Sequence, residues 1–353
     1  MSMKEWRTGY TTGACAAAAA KAASLYLTQG TAVAEVEILL PGGRRVVIPV
    51  AYVRVGKNGV EAAVRKDGGD DPDVTHSALV IVSLMPAIGQ EILLAAGEGV
   101  GTVTKPGLSV APGEPAINPL PRQMIVGAIR EVTPRGMLVT VSIPGGGKLA
   151  EKTFNPRLGI RGGLSILGTT GIVRPFSIDA LRASVRCALD VAVACGVVAP
   201  VLVPGNIGRK AACRNFHLKE EQVIEGGNEW GFLIDTVAGY NFSELLVLGH
   251  PGKLVKLAAG QWDTHSARSA SALTTVIIRA QILLGRPLTG HLTVEGLFSS
   301  LLPQEAGMLA KVLAEEIGNA VDERMGGSLH PSVALINMKG SILGNAGDLA
   351  TWQ

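Results

Sequence analysis

The sequence predicts an α/β plus α+β protein of two domains. An N-terminal α+β domain, residues 1–160, carries an alanine-rich helix on a mixed sheet, and a C-terminal Rossmann-like α/β domain fills 161–353. Three observations predict this. The chain has 353 residues, more than a single hydrophobic core usually serves. It is 47% hydrophobic but only 4% aromatic, so its core is built from Ala, Val, Leu and Ile, as where helices pack closely on sheets. In the second half, strand, glycine loop and helix follow one another three times, the rhythm of a parallel sheet.

The elements follow in order. Arg7-Thr-Gly-Tyr-Thr-Thr-Gly-Ala-Cys-Ala-Ala-Ala-Ala-Ala-Lys-Ala-Ala23 is a polar loop running into an alanine helix. Thr11 or Thr12 caps it, and Gly13 gives the backbone room at its start. The free N–H groups of its first turn suit an anion; a tightly packed core helix is the equal alternative. Stretches 35–40 and 45–52 form a hairpin about Pro41-Gly-Gly43, and 60–65, 78–85 and 91–95 are further strands. Residues 97–121, rich in Gly and Pro, hold little regular structure. A helix at 122–132 and a strand at 137–143 complete this half, and the division falls near 152–163.

The second half begins with a strand at 164–167, the loop Gly168-Thr-Thr-Gly171 and a helix over 177–195. Strand 201–203, the loop Pro204-Gly-Asn-Ile-Gly208 and a helix come next. Strand 244–248, the loop Gly249-His-Pro-Gly252 and a helix over 253–259 make the third unit. Helices at 266–284 and 304–316 and a strand at 333–337 close the domain.

Charge and cysteines exclude several functions. Net charge is +3, from 32 basic and 29 acidic residues, which is not the concentrated basic surface of a nucleic-acid platform. Cys15, Cys187, Cys195 and Cys213 form no C-x-x-C pair, which argues against structural zinc and for reduced thiols in a cytoplasmic protein. Lys4 and Arg7 before the alanines imitate a signal peptide. Alanine is too weakly apolar for its central region, however, and Lys21 interrupts it. The longest uncharged stretch, 191–208, is broken by Gly196, Pro200, Pro204 and Gly205, so no membrane span is expected.

Five loops invite chemistry. Gly97-Glu-Gly-Val-Gly101 imitates a cofactor-binding glycine loop, but Thr102-Val-Thr-Lys-Pro-Gly follows where a helix is required, so a bend is the better reading. Gly168-Thr-Thr-Gly171 has the strand before and helix after that such a loop needs. Its glycines permit close backbone approach, and an ordinary turn is the alternative of equal weight. Gly249-His-Pro-Gly-Lys253 lies past an apolar strand, where open α/β sheets bind ligands. There Lys253 and the helix N-terminus suit an anion, and His250 a proton. Asp263-Thr-His-Ser266 brings His265 before a helix capped by Ser266, as acid–base group or as packing residue. Asp67, Asp70, Asp71, Asp73 and His76 crowd one loop whose spacing is not that of a calcium site. Arg157, Arg161, Arg174, Arg209, Lys210 and Arg214 lie near these loops, and arginine binds carboxylates bidentately.

The opening stretch and several later blocks carry a resemblance that spans nearly the whole chain. The blocks are Arg65-Lys-Asp-Gly-Gly-Asp-Asp-Pro-Asp-Val-Thr-His76, Gly101-Thr-Val-Thr-Lys-Pro-Gly107 and Gly113-Glu-Pro-Ala-Ile-Asn-Pro-Leu-Pro-Arg122. They continue with Thr153-Phe-Asn-Pro-Arg-Leu-Gly-Ile160, Ser165-Ile-Leu-Gly-Thr-Thr-Gly-Ile-Val-Arg-Pro175 and Gly249-His-Pro-Gly-Lys-Leu-Val-Lys-Leu-Ala-Ala-Gly260. In this order they resemble the cobalamin-pathway C1-methyltransferases of the CbiD type, which act on cobalt-precorrin-5B in the oxygen-independent route. The resemblance implies transfer of a methyl group from S-adenosyl-L-methionine (SAM) to C1 of the corrinoid, giving cobalt-precorrin-6A. Cobalt then belongs to the substrate, and no protein-bound metal is expected. Candidate substrate contacts are Thr11, Thr12, Asp71, His76, Lys105, Arg122, Arg174 and Lys253, and candidate cofactor contacts are Gly168, Thr169, Thr170 and Gly171. His250 and His265 are the acid–base candidates. The implied partner is a small corrinoid, without nucleic acid or membrane; the oligomeric state stays open, a homo-oligomer included. Two rivals remain, a nucleotide-binding small-molecule kinase, for which no P-loop is present, and a non-catalytic corrinoid carrier.

Overall fold

A computed structural model of the chain describes residues 6–57, 59–327 and 329–353. They divide into two compact units, Met1–Ile178 and Asp179–Gln353.

In the first unit the alanines form the helix Thr12–Gln29. Thr11 caps it: its backbone is extended and its Oγ1 accepts the Ala14 N–H at 3.2 Å. Gly30, left-handed at φ 72°, ends it. Almost every side chain from Thr12 to Ser24 is buried. Their small size lets the helix lie close against Pro119–Arg130 and against the strands Gly59–Arg65 and Leu79–Ala87. Of the two readings of this stretch, the packed core helix is the one the fold contains.

The sheet under this helix has five strands in the order Tyr52–Gly56, Gly59–Arg65, Leu79–Ala87, Gly136–Ser142, Ile92–Ala96. All neighbours are antiparallel except the last pair, so the sheet is mixed. Alternation sets the buried face: Val80, Val82 and Leu84 on one strand face the core with Met137, Val139 and Val141 on the next. The expected hairpin is formed by Glu35–Leu39 and Arg45–Pro49, with Ile38 opposite Val46. Its second strand stops earlier than the expected 52, because the Ala51 N–H bonds Ala63 O and Tyr52 starts a strand of the larger sheet.

The stretch 164–167 differs from expectation. It does not open the second domain's parallel sheet; it threads into the first unit. Leu164 bridges Val100 and Ile166 bridges Ile117, with Leu164 N bonded to Gly99 O and Ile166 N to Ala116 O. Ile160–Arg161 pairs with Thr102–Val103, and Ile172–Val173 pairs with Gly9–Tyr10. These bonds carry the first unit to Ile178, beyond the expected division after 160.

The second unit is built on a five-stranded sheet in the order Val223–Glu225, Val201–Val203, Leu246–Gly249, Ser332–Ile336, Ile342–Ala346. The first four are parallel and the last is antiparallel. In chain order this is 2-1-3-4-5. Both faces are covered. Leu202, Val247 and Leu335 pack with Leu189, Leu233, Leu254 and Leu313 on one side. Val201, Val203, Leu248 and Ile336 pack with Ala211, Ala212, Phe216 and Trp352 on the other. The central strands Val201–Val203 and Leu246–Gly249 are therefore uniformly apolar rather than alternating. Val223–Glu225 and Ile342–Ala346 were not anticipated. The expected helix 266–284 begins at Ala272, with Ser271 rather than Ser266 at its N-cap. Before it, the Asp263 carboxylate accepts the His265 N–H at 2.9 Å, and Ser269 Oγ bonds His265 O at 2.8 Å, holding a separate turn.

Candidate functional site

Strand order 2-1-3-4-5 reverses direction between Val201–Val203 and Leu246–Gly249, and ligands bind such sheets beyond the carboxyl ends of the strands at that switch. A cleft of about 870 Å³ lies there. Pro204–Gly208 follow the first of these strands, His250, Gly252 and Lys253 follow the other, and Met338 follows Ser332–Ile336. Leu292, Thr293 and Glu295 close a further side, and Lys256, Ser266 and Ser269 also line the cleft. Its volume is within the range of sites that hold one small ligand.

His250 is the N-cap of the helix Pro251–Ala258. Its Nδ1 accepts the Gly252 N–H at 3.0 Å, which fixes the proton on Nε2, 3.0 Å from Glu295 Oε2. Glu295 also accepts the Met338 N–H at 3.2 Å. Both ring nitrogens are thus occupied, and through Glu295 the ring links its own loop to the helix Val294–Ser300 and to Met338. The first turn of Pro251–Ala258 is closed as well: Pro251 has no N–H, Gly252 is capped, and Lys253 N bonds His250 O. The expected anion site at that helix end reduces to the Lys253 ammonium, which is half-buried and bonded to Asn228 Oδ1 at 2.5 Å. Burial first, then the neighbouring Lys256, pushes the Lys253 pKa down.

His265 is not among the residues lining the cleft. Its Nδ1 accepts the Ala267 N–H at 3.2 Å within the turn. The residues the sequence did not point to are Lys256, Asn228 and Glu295. Lys256 had a signal, standing three places after Lys253 and so on the same face of the helix.

The remaining candidates lie in the first unit. Thr11 and Thr12 are buried and spent on structure: Thr12 Oγ1 accepts the Leu167 N–H at 2.9 Å, and Gly13 N bonds Leu167 O at 3.0 Å. The alanine helix therefore offers no open N-terminus to an anion. Gly168, at φ 138°, approaches Thr11 so closely that a Cβ there would overlap its Oγ1 and Cβ. The close approach this glycine permits is to the helix cap. Gly171 abuts Leu40 in the same way, while Thr169 and Thr170 are exposed. In Gly97–Gly101, a Cβ at Gly99 would strike Ile143 O, and the chain continues into Thr102–Val103, not a helix.

The acidic loop is also satisfied internally. Asp67 pairs with Arg7, Asp70 accepts the Arg7 N–H, and His76 Nδ1 accepts the Gly68 N–H at 3.1 Å. Asp71 Oδ1 accepts the Phe176 N–H at 3.0 Å and holds that residue left-handed at φ 55°. Phe176 and Trp6 are exposed, and their rings meet edge to face at 5.2 Å. Arg122 donates to Ile117 O and Pro115 O, the Lys105 stem covers Gly159, and Arg174 is exposed. Arg209 pairs with Glu220 at 3.7 Å and Arg214 donates to Lys339 O, both in the second unit. The basic residues clustered in sequence are therefore divided between the two units.

The CbiD family model matches residues 1–175. A Syntrophotalea carbinolica protein named cobalt-precorrin-5B C(1)-methyltransferase is 54% identical over 346 residues, 98% of each chain. A Thermoanaerobacter protein of the same name is 40% identical, covering 99% of this chain and 98% of its own. A solved structure, titled as the cobalamin biosynthesis protein cbiD from Archaeoglobus fulgidus, is 29% identical. It covers 74% of this chain and 83% of that one, with a TM-score of 0.41. With 54% and 40% identity to the two named methyltransferases over nearly the full length of each, the chain belongs to the CbiD family.

Proposed function

We propose that this chain transfers a methyl group from SAM to C1 of cobalt-precorrin-5B, giving cobalt-precorrin-6A, and that the second unit is a Rossmann-like domain whose cleft holds the methyl donor. The observation that carries this is the 54% identity to the Syntrophotalea carbinolica methyltransferase across 98% of both chains. The cleft supports the donor's placement. It combines apolar walls at Ile207, Leu273, Leu292 and Met338 with two ammonium groups, as a ligand with a flat base and an amino-acid end requires. A Cβ at Gly205 would meet nothing within 4 Å, so the loop backbone there is open to a ligand. The Gly168–Gly171 loop fits the donor less well, since Thr11 fills the space above Gly168.

SAM supplies an activated methyl group on a sulfonium. The protein's share is alignment and exclusion of water. Lys253 and Lys256 hold an anionic end of a ligand, while His250 keeps the cleft loops in register through Glu295. Both His250 nitrogens are engaged in hydrogen bonds, so His250 acts as a positioning residue. In the first unit the exposed Arg174 is the candidate to hold a carboxylate arm of the macrocycle. The four cysteines, none in a disulfide, take no part in the transfer and suit a cytoplasmic enzyme. Among the described residues, no helix is long and apolar enough to cross a membrane.

Anaerobic incubation with labelled-methyl SAM and the cobalt corrinoid, read by mass spectrometry, tests the proposal. One label on the macrocycle is expected. Bound but unlabelled corrinoid would instead indicate a carrier.

A further inference from the structure

We infer that Lys253 and Lys256, with the open first turn of the helix Asn206–Asn215, form a carboxylate-binding subsite on the floor of the cleft. This rests on the reading of that cleft as a substrate site. Lys256 is only 7% exposed, yet it forms no ion pair among the described residues. Its Nζ donates to Thr264 O at 3.2 Å and to Ser269 Oγ at 2.7 Å, both neutral, and an ammonium has three N–H groups to give. Lys253 has Asn228 Oδ1, again neutral, as its hydrogen-bond acceptor.

Two ammonium groups on one helix face, half-buried and buried, repel each other and lose hydration, and a bound anion relieves both costs. Among the described residues, no carboxylate of the cleft does this. Glu295 is held by His250 and by the Met338 N–H, and Asp263, which acts on Lys253 from a distance, is paired with Arg268. The third component is independent. Gly205 gives the helix Asn206–Asn215 no side-chain cap, and its first backbone bond is Arg209 N to Gly205 O at 2.9 Å. The N–H groups of Asn206, Ile207 and Gly208 therefore have no acceptor among the described residues, and all three residues line the cleft. A helix N-terminus and two unpaired cations facing one cavity select an anion. The two ligands of the proposed reaction both carry carboxylates, SAM on its amino-acid end and the corrinoid on its acetate and propionate arms.

The test titrates wild type, Lys256→Met and Lys253→Met with three probes: SAM, decarboxylated SAM and the cobalt corrinoid. Melting curves on each protein and a wild-type methyl-transfer assay accompany it. Wild type should bind SAM about 10–100-fold more tightly than decarboxylated SAM, and that preference should vanish in Lys256→Met. Lys256→Met should fold, since methionine keeps the stem and removes an unpaired buried charge; Lys253→Met, at the more open position, repeats the test. If the SAM preference persists but corrinoid affinity falls tenfold or more, the subsite stands and its carboxylate is the macrocycle's. If wild type transfers methyl while neither variant changes any affinity beyond about twofold, the subsite is overturned and the methyltransferase reading survives. A wild type that binds no SAM and transfers nothing overturns both.

Discussion

The His250 imidazole and the Glu295 carboxylate meet at 3.0 Å, and the opposite ring nitrogen accepts the Gly252 N–H at 3.0 Å. The residue that sequence reasoning marks for proton transfer is thus a helix cap with its proton directed at a carboxylate. Glu295 in turn grips the Met338 backbone.

Substitution of His250 should separate capping from proton transfer. Asparagine is itself a good cap, so His250→Asn should keep single-turnover methyl transfer within about tenfold of wild type, where loss of a catalytic base would cost about 10²–10⁴-fold. His250→Ala, which removes the cap, should lower stability by about 1 kcal/mol in urea titrations. His265→Asn should behave like His250→Asn, because asparagine can replace Nδ1 as acceptor for the Ala267 N–H. A hundredfold loss of turnover at native affinity in either asparagine variant would restore that histidine to proton chemistry.

Gly168→Ala should destabilise the protein by about 2 kcal/mol or more while leaving SAM affinity unchanged. The residue sits at φ 138° and any Cβ overlaps Thr11, so both strain and overpacking act. Thermal melts with SAM calorimetry decide it. An unchanged melting temperature with lost SAM affinity would return this loop to the cofactor.

Acid should weaken the first unit through Asp73. Lys66, 2% exposed, places its Nζ 2.6 Å from Asp73 Oδ2, and Thr75 bonds the other oxygen. Burial alone would raise the Asp73 pKa, but the bonds from Lys66 and Thr75 outweigh it and hold the carboxyl below its ordinary range. A depressed carboxyl stabilises the fold above its unfolded pKa, and that contribution is lost as pH falls through the folded value. The loss should therefore appear below about pH 4 in urea midpoints. Lys66→Met leaves Asp73 without its cation and should cost about 3 kcal/mol at pH 7, with a flatter acid limb.

Thiol labelling at pH 8 should modify the exposed Cys213 first. Burial pushes the Cys15 thiol up to about 12, so Cys15 should react only after unfolding. Peptide mapping of the labelled native protein checks the order, and early modification of Cys15 would contradict its place in the core.

Much of the fold was legible locally. Composition implied a core of small aliphatic side chains, Thr11 and the alanines implied a capped helix, and apolar runs closed by glycine loops marked Val201–Val203 and Leu246–Gly249 as buried parallel strands. Caps, turns and periodicity act over a few residues, so a linear chain displays them. The placement of 164–167 was not legible, because a short apolar run followed by Gly-Thr-Thr-Gly reads the same whether it joins a parallel sheet or threads beneath a helix cap. Its hydrogen bonds to Thr12 span 155 positions. The same holds in the cleft. His250 and Lys253 were visible as residue types beside a strand end, but the occupancy of His250 depends on Glu295, 45 positions away. The unpaired charge of Lys256 depends on which carboxylates the fold leaves beyond its reach. Hydrogen-bond partnership and desolvation arise between distant segments, and only their packing assigns them.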